Sequence, residues 1–364
     1  MPLQTPPADA DIPALRALID QIDEQMLTLL ISRARLAYQV GQYKQKHGIP
    51  VYVPGREREI LERLTEEMVH PVPLRGALAV FREAISACRA LEEVPLVAFL
   101  GPEATFTEVA ARQVWGACAD YRAFESLDAL FDGLRSGDAV FGVVPIENST
   151  AGTIREVLDQ LAEGGDYRIV GESYLDIHHN LLAQRPADQL AKILSKDAAL
   201  DQCRAWLRMN APQAQLVPMA STAAGVEAAA ADPTVGAIGT ELAGERYGVP
   251  VQARNIEDIK GNRTRFFTLG PTWSQPTGDD KTTIIIYLDD RPGSLVAALE
   301  VLRRHQLNMS MIESRPLRHT PFEYAFFVDI EGHLDDEAAS AGIKDLEVVC
   351  RRVRVLGSYA KARG

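Results

Sequence analysis

The sequence predicts a multidomain chain in three unlike parts: an all-α N-terminal module, an α/β module, and a C-terminal βαββαβ module of the ferredoxin-like kind. Three observations predict it. The 364 residues suit two or three domains at roughly 100–200 residues each. Apolar residues recur at helical spacing, without strand-like alternation, up to Pro95. From Leu96 the pattern changes to short apolar runs alternating with helical stretches, and beyond residue 281 it reads strand, helix, strand, strand, helix, strand.

The first helix is carried by Leu15, Leu18, Ile19, Ile22, Met26, Leu29, Leu30, Leu36, Ala37 and Val40. Asp11 before Pro13 supplies its cap, and Gly48-Ile49-Pro50 its stop. A second helix follows Pro54, with Ile60, Leu61, Leu64 and Met68 on one face. A third runs from Leu74 through Phe81 and Ile85 to Leu91 and is ended by Pro95. In the middle module the runs LVAFL, FGVVPI, YRIVGES, LVPMA and VGAIG read as largely parallel strands between helices. The Gly-, Pro- and Asp-rich stretch near 273–280 reads as a linker. The expected organisation is a flexible segment 1–10, a helical domain 11–93, an α/β domain 95–272, the linker, and the βαββαβ domain 281–364.

Composition narrows the function. Lys and Arg total 38 against 50 Asp and Glu, a net charge of −12, so there is no basic footprint for nucleic acid or an anionic membrane. No stretch approaches about 18 uninterrupted apolar residues, and the start lacks a basic segment followed by an apolar run. Cys88, Cys118, Cys203 and Cys350 are widely spaced, which suggests reduced thiols in a cytoplasm and no metal site.

Three cations lie along the first helix. Arg33 and Lys44 are eleven residues apart, which places them on nearly the same face about 16 Å apart, so their long side chains can converge on one small dianion. Arg16 is roughly 25 Å further along and reaches such a ligand only if a second chain delivers it. On spacing alone, solvated cations on an amphipathic helix are the ordinary alternative. The stretch ALRALIDQIDEQMLTLLISRARLAYQVGQYKQKHG followed by GREREILERL resembles the all-helical chorismate mutase family, whose members are intertwined dimers. That resemblance implies that Arg33 and the partner's Arg16 bind two carboxylates and that Lys44 donates to the ether oxygen. It also implies that Glu57 accepts from the ring hydroxyl and that Arg56 is a further pocket arginine. Val53, Cys88 and Glu92 depart from the best-known pattern, which has Asp, Ser and Gln at those positions. The resemblance places Glu92 near the ether oxygen, where only its protonated form can donate a hydrogen bond.

In the middle module GPEATFT, VPIENST and NRTRF put hydroxyl and amide side chains at strand ends and helix starts. Taken singly these are caps, and the adjacent His178 and His179 are more often hydrogen-bonded core residues than metal ligands. Together, in this order, the segments resemble the prephenate dehydratase family, which implies two α/β lobes around a cleft, like a periplasmic binding protein. Thr264 is then the residue that assists hydroxide departure. Thr105, Glu147, Asn148, Ser149, Thr150, Ser221, Thr222, Asn262, Arg265 and Phe266 are the implied substrate or support positions. Ala104 stands where the family has Gly, and LSKDAALDQC (194–203) replaces a segment that commonly reads S-H-P-Q with a downstream Q-C.

The last module resembles the ACT regulatory family through Gly293-Ser294-Leu295-Val296 and Glu313-Ser314-Arg315-Pro316, which implies a phenylalanine site between paired domains. The whole resemblance is to bifunctional chorismate mutase/prephenate dehydratases of phenylalanine biosynthesis. It implies chorismate and prephenate as substrates, phenylalanine as effector, no cofactor, and a homodimer or higher oligomer. A non-catalytic amino-acid sensor and an arogenate-preferring dehydratase remain open readings of the residues.

Overall fold

The structure is a computed structural model that describes residues 11–49, 52, 54–67, 72–316 and 324–362. Expectations placed on residues 1–10, Pro50, Val53 and Met68 lie outside the described residues.

Three helices form the N-terminal module: α1 (Ile12–His47), α2 (Pro54–Glu67) and α3 (Leu74–Ala90). Asp11 caps α1 by accepting the Ala14 N–H at 2.9 Å, and Gly48 ends it in the left-handed conformation, φ 64°. Gly41 is the only buried residue of α1. A Cβ there would sit 2.8 Å from Glu92 Cγ, so glycine lets the end of α3 lie directly on α1. Most of the apolar stripe is uncovered, with Ile12, Leu29 and Leu36 each more than 60% exposed. α1, Tyr52, the later part of α2 and α3 form one compact unit. The first turn of α2 belongs with the chain beyond Pro95, because Arg58 donates to the Asp279 carbonyl at 3.0 Å and to its carboxylate at 2.9 Å.

The second unit begins with β1 (Leu96–Leu100), α4 (Phe106–Trp115), β2 (Asp120–Phe124), α5 (Leu127–Ser136), β3 (Phe141–Asn148), β4 (Gly152–Thr153), α6 (Arg155–Glu163) and β5 (Arg168–Asp176). The chain then leaves this sheet and builds another from β6 (Asn180–Ala183), β7 (Lys192–Ser195), α7 (Asp197–Gln202), α8 (Arg204–Asn210), β8 (Gln215–Pro218), α9 (Thr222–Ala230), β9 (Val235–Gly239), α10 (Glu241–Tyr247) and β10 (Val251–Ala253). It returns as β11 (Arg263–Gly270). The first sheet has the order β2-β1-β3-β11-β5 with β4 on β3, and the second β10-β6-β9-β7-β8. Two lobes joined by two crossings, at 177–179 and 254–262, follow from this order.

Apart from the two-residue β4, which turns back antiparallel on β3, the strands are parallel except β11 in the first sheet and β6 in the second, which are the two strands that receive the chain from the other lobe. A short crossing leaves no room for the connection of a dozen or more residues that parallel entry needs. The sequence pattern missed β2, β4, β7 and β10: β4, β7 and β10 have two to four residues and carry too little periodicity, and β2 is a partly exposed edge strand with few apolar residues. No helix among the described residues is long and apolar enough to cross a membrane.

The C-terminal module is β12 (Asp280–Tyr287), α11 (Ser294–Arg304), β13 (Met309–Pro316), β14 (Tyr324–Glu331), α12 (Glu337–Val349) and β15 (Arg352–Ala360), an antiparallel sheet in the ferredoxin-like order β13-β14-β12-β15. Its helices cover one face through Ile284, Val301, Val328 and Leu346. The other face shares a core with the first lobe, in which Ile285, Phe327, Leu356 and Tyr359 meet Val144, Ile146, Ile169 and Phe267. At Gly357 an added Cβ would lie 2.1 Å from the Ile169 carbonyl oxygen, so β15 reaches β5 only through a glycine.

Candidate active site

The ends of β3 and β11 meet where the chain crosses between the lobes, and the ladder puts Asn148 directly opposite Thr264. Asn148 Oδ1 accepts the backbone N–H groups of Thr150 and Ala151 at 3.0 and 2.9 Å, which fixes which way its amide faces. Nδ2 therefore donates, to Thr264 Oγ1 at 2.9 Å and Asn262 Oδ1 at 2.7 Å. Because Thr264 Oγ1 is already accepting, its own proton is left to donate. The same bonds satisfy the Thr150 and Ala151 N–H groups within the turn itself. Ser149 Oγ accepts from the Arg263 N–H at 2.9 Å.

From Asn262 the network continues through residues that the sequence did not single out as functional. Asn262 Nδ2 donates to Gln202 Oε1 at 3.0 Å, and the same oxygen takes His179 Nε2 at 2.8 Å. An amide oxygen only accepts, so His179 carries its proton on Nε2, and its buried Nδ1 has no partner. Burial holds His179 below the ordinary imidazole value, against the opposing effects of Gln202 and Glu257. Glu257, on the other crossing, accepts the His179 backbone N–H at 3.0 Å and pairs with His178 and Lys260. Burial pushes Glu257 up, but those hydrogen bonds outweigh it and hold the carboxyl below its usual range. Gln202 was visible as the Gln of the Q-C pair at 202–203. His179 is the hydrogen-bonded core residue expected, whereas His178 is half exposed.

Other positions fall as follows. Thr105 stands at the N-cap of α4 without capping it, its hydroxyl turned to the Leu100 carbonyl at 3.4 Å. Ala104 adopts φ 61°, the conformation that suits the family's glycine, and is fully buried. Its N–H donates to Glu108 at 2.6 Å and its carbonyl accepts from Thr240 of the second lobe at 2.8 Å. Ser221 caps α9 through the Ala224 N–H at 3.0 Å, and Thr222 is buried in the first turn. Phe266 is buried on the same face of β11 as Thr264.

Two of the implied substrate or support positions turn away from Thr264. Arg265 and Glu147 are paired across the β11–β3 ladder, one step from Thr264 and Asn148, so strand alternation turns both to the opposite face. Arg265 is buried there against Glu172, Asp329 and Tyr359. Burial opposes its charge, but Tyr359, Asp329 and Glu172 outweigh this and raise its pKa above the ordinary arginine value.

In the helical unit Lys44 Nζ pairs with Glu92 Oε2 at 3.0 Å, and Arg33 donates to the Ala84 carbonyl at 3.1 Å. Glu92 thus accepts from Lys44 through Oε2. Arg16 is exposed on the same unbroken helix. Arg56 pairs with Glu59 on the surface, and Glu57 lies in the first turn of α2.

In the C-terminal module Gly293, φ 90°, opens α11 beside a hollow of about 170 Å³ lined by Arg291, Ser294, Leu295, Tyr324 and Phe326. Val296 is exposed outside it. Glu313 and Arg315 have partners within the chain. They share one face of β13, where Glu313 accepts from Thr153 at 3.3 Å and Arg315 grips Asp159 bidentately at 2.9 and 2.8 Å. Ser314 and Pro316 alternate to the other face.

This fold and these sites define a multidomain enzyme with an appended regulatory fold. Three family profiles match in order: chorismate mutase type II over residues 15–93, prephenate dehydratase over 97–273, and the ACT domain over 282–348. The bifunctional chorismate mutase/prephenate dehydratase of Aquifex aeolicus is 41% identical over 97% of this chain and 98% of its own length. That of Pseudomonas aeruginosa is 36% identical over 98% and 99%. Among solved structures, the prephenate dehydratase of Arthrobacter aurescens in complex with L-Phe aligns with a TM-score of 0.68 and 34% identity, over 73% of this chain and 90% of that one. The chain belongs to the bifunctional chorismate mutase/prephenate dehydratase family and carries both enzyme domains with an ACT domain.

Proposed function

We propose that the helical unit rearranges chorismate to prephenate and that Thr264 drives the conversion of prephenate to phenylpyruvate. The observation that carries the second assignment is the Asn148–Thr264 bond, which leaves the Thr264 proton directed away from its amide partner. In the dehydratase step the ring carbon–carboxylate bond breaks and releases CO2. Its electron pair enters the ring, and the ring hydroxyl departs as hydroxide with a hydrogen bond from Thr264 and becomes water by taking a proton from solvent. Aromatisation supplies the driving force, and the hydroxyl needs only positioning in a site poor in water.

The mutase step is an intramolecular rearrangement with no nucleophile, so its residues act by holding carboxylates and stabilising charge on the ether oxygen. Lys44, already oriented by Glu92, suits that oxygen, and Arg33 suits a carboxylate. The mostly uncovered stripe of α1 and the distance to Arg16 support a homodimer in which the partner completes the pocket. Phenylalanine binding at the hollow beside Gly293 is the proposed regulation, and the four widely spaced cysteines suit a reducing cytoplasm. Thr264→Ala should abolish dehydration while mutase turnover survives, and Lys44→Ala should do the reverse. Loss of both activities in either well-folded variant refutes the assignment.

A further inference from the structure

Arg265 follows Thr264 in β11, and its guanidinium ends in a buried group to which every strand of the regulatory sheet contributes. Nε and Nη2 reach Glu172 Oε2 on β5 at 2.7 and 2.6 Å, and Nη1 lies 2.7 Å from Asp329 Oδ2 on β14. Nη2 donates to the Tyr359 hydroxyl on β15 at 3.2 Å, and Nη1 lies 3.7 Å from Met311 Sδ on β13. From β12, Lys281 pairs with Glu172 at 3.0 Å, and Thr283 donates to Asp329 Oδ1 at 2.6 Å. The two cations and two carboxylates balance, and none is more than 7% exposed. The Asp329 Oδ2 contact is short but off-line, a charge contact with no directed hydrogen bond.

Two features tie this group to the reacting side of the sheet. The planar guanidinium spans both carboxylates as a rigid fork, so its position follows theirs. The pairing of β11 with β3 slips between Arg265 and Phe266, and such a bulge re-aims the side chains around it.

We propose that Arg265 is a positioning residue for the dehydratase, held by Asp329 of the ACT sheet so that the placement of that sheet sets the aim of the Thr264 hydroxyl. The proposal rests on the assignment of Thr264 to the dehydratase reaction. It makes the regulatory sheet part of what aligns the active strand, and a shift of Asp329 reaches Thr264 through one peptide unit.

The test uses the full chain with mutase turnover as internal control. Asp329→Asn combined with Lys281→Met removes the Asp329 charge while keeping the group neutral, and Arg265→Lys keeps the charge but loses the fork. Both should lower dehydratase kcat by about 10- to 100-fold with KM for prephenate and mutase kcat little changed, the size expected of a misplaced reacting group. Both should also shift the phenylalanine inhibition midpoint. A kcat within about twofold of the parent in either folded variant overturns the coupling, because charge balance alone then sufficed. Thr264→Ala is measured alongside. If it still dehydrates prephenate, the assignment of Thr264 fails and the proposal with it; if it is inactive while the other two variants are normal, only the coupling fails.

Discussion

The helical unit and the α/β body solve the placement of reactive groups in opposite ways. In the helical unit the candidate groups hang on one long helix whose apolar stripe is mostly uncovered, and Lys44 has its contact with Glu92 while Arg16 projects into solvent. In the body, Thr264 sits in a chain of hydrogen bonds running through Asn148, Asn262, Gln202 and His179 to Glu257. The first arrangement awaits another surface; the second is complete within one chain. Mutase activity should therefore depend on association, and dehydratase activity on the integrity of the crossing and of the sheet docked behind it.

The largest expected effect tests that docking. Removing residues 281–364 strips Ile285, Phe327, Leu356 and Tyr359 from a shared core, takes Asp329 from Arg265 and Lys281 from Glu172, and exposes the remaining Arg265–Glu172 pair. At about 1.5–3 kcal/mol per large apolar side chain, the loss rivals the whole stability of a domain. The truncated chain should fail to give a cooperative melt for the dehydratase body in calorimetry. A truncated body that melts like the intact one means the two sheets fold independently.

Next in size is the dependence of the mutase on a partner. Inactive Arg16→Ala and Lys44→Ala chains, mixed under exchange conditions, should regain part of the mutase activity, because one of the two mixed sites holds both intact residues. No recovery despite demonstrated heterodimers means that each site is built within one chain. Within the body, Asn148→Asp keeps the shape but removes the donor to Thr264, and dehydratase kcat should fall about 10- to 100-fold. An unchanged kcat breaks the claim that Asn148 aims the hydroxyl.

Acid should loosen the body over a window set by His179 and Glu257. Burial depresses the folded pKa of His179, so as pH falls through about 6.5 the unfolded state takes up the proton first and stability drops. Glu257 is held low, so its contribution is present above the unfolded value and is lost as pH falls through the lower folded one. The signs agree. Tm should decline from about pH 6.5 downward, and His179→Gln should flatten the upper part of that decline without touching the lower. The smallest effect is Ala104→Gly. Relief of a left-handed alanine, partly offset by the freedom glycine brings to the unfolded chain, should raise stability by about 0.5–1 kcal/mol, read as a Tm shift of a few degrees.

Much of this was legible from residues alone. Asp11, Pro13 and Gly48 bound α1, and the helical spacing from Leu15 to Val40 identified it, because caps and periodicity are local. The βαββαβ order of the last module and the motifs around Asn148 and Thr264 were readable for the same reason. Sequence also marked Ala104 as unusual, and its positive φ shows why.

What only the tertiary structure decided is which face each motif residue serves. Arg265 and Glu147 share motifs with Thr264 and Asn148, yet strand alternation sends them to the other side of the sheet, and that side is defined by a domain folded from residues beyond 280. Arg315 and Glu313 likewise turn to Asp159 and Thr153, more than 150 residues earlier. The Gln202–His179–Glu257 chain joins two crossings and a helix of the second lobe. A linear pattern records period and chemistry, but the partner of a buried charge or amide is set by long-range packing, where an unsatisfied group costs too much to leave alone.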